Sequence, residues 1–161
     1  MSTKQSENRK SIYEQVRKDK LGLTRAEATL KMNTIDVRRL EYIEKNPSKA
    51  QPADICEMAE AYDEPALCSY YCAMECRIGK DRGVSYIEQP EKAALPIIVL
   101  KMIASLNSTS QMKDRLIEIA ADGDVTEDEM AEFDNIRQEL DKITDTVKAL
   151  ELWAEKSIKK S

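Results

Sequence analysis

The sequence predicts an all-α protein in which a bundle of short helices precedes a long antiparallel helical hairpin. Its 161 residues include only 4 Gly, 5 Pro and 5% aromatic residues, so residues typical of turns and strands are few. With 42% hydrophobic and 34% charged residues, the composition is that of a folded rather than a disordered chain. In the second half, apolar residues recur at spacings of three and four, which indicates long amphipathic helices.

The first half predicts four short helices that must stabilise one another, because none is long enough to persist alone. The first covers residues 12–21, with Ile12, Val16 and Leu21 toward the core. The last covers residues 53–62. These two helices flank a central pair.

The second helix begins at a capping box. Thr24 and Glu27 stand three residues apart, so each can accept a hydrogen bond from the other's free backbone N–H. Leu23 precedes the cap and can pack against Ala28 as a hydrophobic staple. We therefore expect this helix to run to about Met32.

The third helix is predicted to follow after a very short turn. Asp36 is a favourable N-cap, and Leu40 and Ile43 share one buried face. Asn46 can adopt the left-handed conformation that ends a helix, and Pro47 disfavours a helical residue before it. Arginine and tyrosine side chains are left on the outer face of a short helix.

This segment resembles the Xre/phage-repressor family of helix-turn-helix transcriptional regulators. Leu23-Thr24-Arg25-Ala26-Glu27-Ala28 is similar to the opening of that family's second helix, residues 35–44 to its recognition helix, and residues 55–62 to its next helix. The resemblance covers about the first 65 residues. It implies a helix-turn-helix bundle that binds double-stranded DNA, with residues 36–45 in the major groove.

The exposed positions around this helix form the expected DNA-contact set. We expect Val37 and Arg38 at base edges, with Arg39 and Tyr42 nearby. The cations expected to bind phosphates are Arg25, Lys31, Lys45 and Lys49.

The charge distribution agrees with a nucleic-acid contact at one end of the chain. Residues 1–52 contain 12 Lys and Arg against 7 Asp and Glu, a net charge of +5, whereas residues 53–161 carry a net charge of −10. A basic head on an acidic body is typical of such proteins. The acidic body, together with Glu41 on the third helix, also favours an alternative: a protein-interaction module whose degenerate head does not bind DNA.

Three cysteines recur every fourth residue along a helix predicted over residues 65–79. Cys68, Cys72 and Cys76 therefore share one stripe, and Cys56 could supply a fourth thiolate to zinc, since the chain has no His. Three interpretations stay open: buried small hydrophobic residues, a metal or cluster site, and redox-sensing thiols. We favour the first, with no bound metal, Cys72 buried, and Cys68 or Cys76 partly exposed. The other two would make the chain a thiol or metal sensor.

The second half predicts two long helices, residues 96–121 and 126–159, joined by the turn at residues 122–125. Thr126 and Glu129 form a second capping box at the start of the later helix. The predicted coiled-coil-like seam comprises Val99, Met102, Leu106, Thr109, Met112, Leu116 and Ile119 in the first helix and Met130, Phe133, Ile136, Leu140, Ile143, Val147, Leu150 and Ala154 in the second.

The predicted organisation has a helix-turn-helix head at residues 1–66, a Cys-bearing helix and linker at 67–90, and the hairpin at 91–161. The later long helix, about 50 Å at 1.5 Å per residue, exceeds its neighbour. Its end near Leu150 and Trp153 is therefore predicted to lack cover. We expect it to mediate homodimerisation or partner binding, with burial against the head as the alternative.

Several function classes are disfavoured. The chain has no His, no glycine-rich phosphate loop and no nucleophile paired with a base, so we expect no enzyme and no cofactor. Asp122, Asp124 and Glu129 match only the second half of an EF-hand loop, which argues against calcium. The polar N-terminus and the short longest apolar run, residues 93–100, predict a cytoplasmic protein without a membrane segment.

Overall fold

The computed structural model describes residues 10–91, 94–121 and 123–158. These residues form helices, turns and loops without a strand, which confirms the all-α prediction. The chain divides between Gln89 and Pro90 into two compact units. Predictions that lie outside the described residues are those for the N-terminus before Lys10, for residues 93 and 122, and for residue 159.

The first unit is built from short helices. In its described part, residues 10–89, these are α1 (Ile12–Glu14, continued by a π-helical segment, Gln15–Lys20), α2 (Arg25–Thr29), α3 (Val37–Lys45), α4 (Pro52–Tyr62), α5 (Ala66–Tyr70, continued by a π-helical segment, Tyr71–Glu75) and α6 (Arg77–Asp81). A 3₁₀ turn, Pro47–Lys49, joins α3 to α4. The first four helices match the predicted ones, although α2 ends at Thr29 rather than at Met32.

Local capping explains where α2 and α3 begin. The Thr24 N–H donates to Glu27 Oε2 at 2.8 Å, and the Glu27 N–H donates to Thr24 Oγ1 at 3.2 Å, so the predicted capping box is confirmed. Asp36 accepts the Arg39 N–H at 2.6 Å at the start of α3.

The end of α3 differs from the prediction. Asn46 is not left-handed but has φ −134° and ψ 69°, because the following proline restricts it to the extended side of the Ramachandran map. Its side-chain amide donates to the Tyr42 carbonyl at 3.0 Å, so Asn46 still caps the C-terminal end of α3.

The core of the first unit gathers apolar side chains from α1 to α5. Its largest fully buried members are Tyr13, Leu40, Ile43, Ile55, Met58 and Leu67. The predicted burial of Val16 is confirmed, but Leu21 is 38% exposed. Leu21 is the residue that caps the C-terminus of the π-helical segment, and the chain turns away at Gly22, whose φ is 67°.

The cysteine-bearing segment is not the single helix predicted for residues 65–79. Its π-helical part ends at Cys76, which is extended, with φ −68° and ψ 124°, and α6 starts there. Gly79 lies inside α6 instead of ending a helix. A Cβ at Gly79 would stand 1.7 Å from the carbonyl oxygen of Cys72, so only glycine permits this close approach.

The second unit is a hairpin of α7 (Leu95–Ile119) and α8 (Glu127–Ile158). Arg115 Nε donates to Glu132 Oε2 at 2.7 Å, and Ser108 hydrogen-bonds Glu139, so positions advance along α7 as they recede along α8. The two helices are therefore antiparallel, as predicted. The Thr126 N–H donates to Glu129 Oε2 at 3.1 Å, in agreement with a cap at the start of α8.

The seam between α7 and α8 differs in part from the predicted one. The observed seam side chains, all buried or half-buried, are Leu95, Ile98, Met102, Ser105, Thr109, Met112, Leu116 and Ile119 in α7 and Glu129, Phe133, Ile136, Glu139, Ile143, Thr146, Leu150 and Trp153 in α8. The predicted seam residues that are instead exposed are Val99, Leu106, Met130, Leu140 and Val147. The helices meet along a stripe that accepts polar residues such as Thr146, whose hydroxyl donates to the Lys142 carbonyl.

The end of α8 is also better covered than predicted. Leu150 and Trp153 are both half-buried. The antiparallel register places Leu95, the first residue of α7, level with Leu152, next to Trp153, so α7 extends far enough to reach this part of α8. Within the described part of the chain, no helix combines the length and apolar character that crossing a membrane requires.

Candidate nucleic-acid interface

The outer face of α3, defined by Val37, Arg38 and Tyr42, is the surface on which the sequence predicts base contacts. Val37 is 43% and Tyr42 46% exposed, and Arg38 is exposed as well. On the opposite side of the same helix, Leu40 and Ile43 are completely buried. Among the described residues Arg38 has no ion-pair partner, so its guanidinium is available to a ligand.

The turn between α2 and α3 is held by Glu57 from α4. Its carboxylate accepts the N–H of Asn33, the N–H of Thr34 at 2.9 Å and the Thr34 hydroxyl. The Thr34 hydroxyl, followed by the two backbone donors, holds the pKa of Glu57 below its usual 4.5. A carboxylate thus joins three donors of one tight turn to a helix 23 residues later in the chain. This contact orients α3.

Arg39 forms contacts with other residues of the protein. Its Nε donates to Asp54 Oδ1 at 3.3 Å, its Nη2 pairs with Asp54 Oδ2, and its guanidinium lies 5.8 Å from the ring centre of Tyr42. The hydrogen bond that Arg39 donates to Asp54 raises the pKa of Arg39. Asp54 also accepts the Gln51 N–H at 2.8 Å and so caps α4. Arg39 therefore positions Tyr42 and joins α3 to α4.

Arg25 belongs to a buried ionic network below the outer face of α3. Glu44, with a side chain only 1% exposed, accepts from Arg17 Nε at 2.5 Å and from Arg25 Nε at 2.7 Å. Arg17 also donates to the Leu23 carbonyl at 2.6 Å, and its hydrogen bond to Glu44 raises its pKa. The network joins α1, the start of α2 and α3. Because Arg25 is 31% exposed, one edge of it can still face an anion.

The three predicted phosphate-binding lysines are exposed. Lys45 lies 2.7 Å from Glu41, one turn earlier on α3, whereas Lys31 and Lys49 have no ion-pair partner among the described residues. Glu41 is also 3.8 Å from Arg25. Lys45, and to a lesser degree Arg25, lower the pKa of Glu41. The anion on the outer part of α3 is therefore compensated by two neighbouring cations.

The structure does not bring the four cysteines together. Cys56 and Cys72 are exposed, and Cys68 and Cys76 are half-buried. The prediction of a buried Cys72 is wrong, because the π-helical segment turns this residue outward, while partial exposure of Cys68 and Cys76 is confirmed. In the parts of the chain that the structure describes, no three acidic or sulfur ligands are grouped as a metal ion requires.

Four residues that position α3 were not predicted: Arg17, Glu44, Asp54 and Glu57. A signal for one of them exists. Glu44 lies four residues after Leu40 and next to Ile43, so helical spacing places a carboxylate on the buried face, where it requires a cationic partner. No local pattern identifies Asp54 or Glu57, since their partners come from other helices.

Comparison of the chain with protein-family models, with curated proteins and with solved structures finds no match.

Proposed function

We propose that this protein is a sequence-specific, DNA-binding transcriptional regulator of the helix-turn-helix type, with α3 as its recognition helix. One observation carries the proposal. The outer face of α3 presents an unpaired Arg38 between exposed Val37 and Tyr42, while buried Leu40 and Ile43 fix the helix in the core. An arginine can donate two hydrogen bonds to a guanine edge, and an apolar side chain beside it can contact a thymine methyl group.

The ionic contacts within the protein narrow the set of residues that we expect to contact DNA. Arg38, Val37 and Tyr42 are the proposed base contacts. Lys31, Lys45 and Lys49 are the proposed phosphate contacts, because their ammonium groups are exposed. Arg39 and Arg25 act mainly within the protein, by holding α3 to α4 and to α1.

Selection of bound fragments from random duplex DNA, followed by measurement of affinity at several salt concentrations, tests the proposal. Arg38→Ala should weaken binding to the selected site by about 1 to 3 kcal/mol and relax one base position, because it removes a base contact. Lys45→Ala should weaken binding to all sequences alike and reduce the salt dependence. Arg77→Ala, which removes an exposed arginine of α6 that belongs neither to the proposed contact set nor to the hairpin, is the control.

The alternative is a protein-interaction module, which the exposed apolar residues of α7 and α8 favour. Absence of any duplex affinity at low salt, or an Arg38→Ala variant that binds like the wild type, would reject the regulator. A regulator of this type also requires two heads to bind neighbouring half-sites, so we expect a homodimer formed through the C-terminal helices, and a cytoplasmic location.

A further inference from the structure

The two edges of the hairpin beside the seam differ in chemistry. Residues that directly follow a seam position lie on one edge, and residues that directly precede one lie on the other. The first edge carries Val99 and Leu106 of α7 together with Leu140 and Val147 of α8. The second edge carries Lys101, Ser108, Arg115, Asp128, Asn135 and Lys142. Exposed aliphatic side chains are therefore more numerous on the first edge, although that edge also carries Arg137 and Glu151, and the second edge carries Ile97.

The apolar edge forms ordered layers. The register set by Arg115 with Glu132 places Leu106 level with Asp141, and Val99 level with Lys148, so Leu140 and Val147 each lie within one residue of the facing level. Ile103 lies between these layers on the next stripe of α7. These five residues, which we call the apolar face, are each 39% to 50% exposed. A repeated pattern of facing aliphatic pairs is what a further pair of helices packs against.

The side of the hairpin that carries the apolar face has the dimensions of a dimer contact. The 25 residues of α7 extend about 37 Å, and two helices side by side are about 20 Å wide, so this whole side measures roughly 700 Å², with the apolar face as its aliphatic part. Each partner in a stable interface of standard size contributes roughly 800 Å². A second hairpin of the same length would cover the face completely.

The charges around the apolar face are self-complementary. On α8, Arg137 lies seven residues before Thr144 and Glu151 lies seven residues after it, so all three share one stripe beside the face. Arg137 is 63% exposed, with Asp134 at 3.3 Å one turn back, and Glu151 has no ion-pair partner among the described residues. A two-fold axis at Thr144 would bring each copy's Arg137 opposite the other copy's Glu151.

The same axis also brings apolar residues of the two copies into contact. Thr144 is level with Ile103 in the hairpin register, so the axis passes between two copies of Ile103. Val99 and Leu106 then flank this central contact on either side. We infer that a second copy of this chain covers the apolar face and forms an antiparallel four-helix bundle centred on Ile103 and Thr144. The inference specifies the dimer that the proposed function requires, but it depends on the hairpin alone.

Light scattering of the full chain tests the inference without DNA. The wild type should be a dimer. Ile103→Glu should be a monomer, because it places two carboxylates at the centre of the contact, whereas Ile97→Glu should remain a dimer. Ile97 is the matched control, since it is 57% exposed on α7 and lies on the side away from the apolar face. A monomeric wild type at the highest attainable concentration, or a dimeric Ile103→Glu, would overturn the inference.

Charge reversal tests the arrangement with variants that leave the core of the hairpin intact. Arg137→Glu and Glu151→Arg should each weaken the dimer at least about tenfold, because two ion pairs become repulsive contacts. The double variant should recover most of the loss, since both pairs are restored with reversed polarity. Single variants that dimerise as tightly as the wild type would rule out this axis. That result would reject the dimer but not DNA binding by an individual head, which the affinity measurements on Arg38→Ala test.

Discussion

The head and the hairpin achieve a defined structure by different means. In the head, charged side chains join one helix to another: the buried Glu44 holds α1 to α3, and the more exposed Glu57 holds the turn before α3 to α4. In the hairpin, the two helices meet along a repeating stripe of seam residues, in which each contact resembles the next. The head therefore depends on a few specific residues, whereas the hairpin depends on its register.

Under the proposed function, this difference gives the two units different roles. The contacts of Glu44, Glu57 and Arg39 hold α3 in one orientation, which recognition of base edges by Arg38 would require. A repeating stripe leaves a second apolar face exposed, which self-association can use. Each of the variants below changes either the head or the hairpin.

The largest effect is expected from Glu44→Ala. It leaves Arg17 with a side chain only 5% exposed and without its anionic partner, so the free energy of unfolding should fall by about 3 to 5 kcal/mol. Urea denaturation measures this change. Glu41→Ala, an exposed carboxylate on the same helix, is the control and should cost less than about 1 kcal/mol. Similar losses in the two variants would show that the buried network does not hold the head together.

Prediction from sequence succeeded where the determining contacts are local. The capping box of Thr24 and Glu27, the cap at Asp36 and the buried pair Leu40 and Ile43 lie within one helix or one turn, so spacing alone reveals them. The pairing of Arg39 with Asp54 is not local, because it requires α3 and α4 to be packed together first.

The hairpin register could not be predicted for a different reason. Leu106 and Leu140 follow the same three-and-four spacing as the true seam, one position later, and are more hydrophobic than the Ser105 and Glu139 that occupy it. A hydrophobicity pattern therefore selects the wrong stripe. Burial of Cys72 was mispredicted for a related reason, because regular helical spacing does not anticipate a π-helical segment.

A pair of truncations in α8 tests the observed register. Ile136→Ala, at a residue only 2% exposed, should lower the free energy of unfolding by about 3 kcal/mol, because it leaves a cavity in the seam. Leu140→Ala, at a residue 42% exposed, should lower it by less than about 1 kcal/mol. Both should be measured at protein concentrations low enough for the chain to be monomeric, so that dimer contacts do not contribute. A loss at Leu140 as large as that at Ile136 would mean that Leu140 is buried in the seam, as the sequence predicts.

The smallest effect is expected at Glu57. Glu57→Gln weakens three hydrogen bonds from the turn before α3, and because the site is open to solvent the loss should be about 1 kcal/mol at neutral pH. The lowered pKa of Glu57 sets the pH dependence. Its contribution is complete above the ordinary value of 4.5 and is lost as the pH falls through the lower pKa of the folded state.

Chemical denaturation of the wild type and Glu57→Gln across this pH range tests whether the negative charge of Glu57 stabilises the turn. The difference between them should be constant from neutral pH down to about 4.5 and should shrink below it, since the protonated wild-type side chain then resembles the amide. Glu60→Gln, an exposed glutamate on the same helix, is the control and should show no such difference. A pH-independent difference at Glu57 would mean that its charge does not hold the turn. The orientation of α3 would then depend on its other contacts, those of Arg39 with Asp54 and of Glu44 with Arg17.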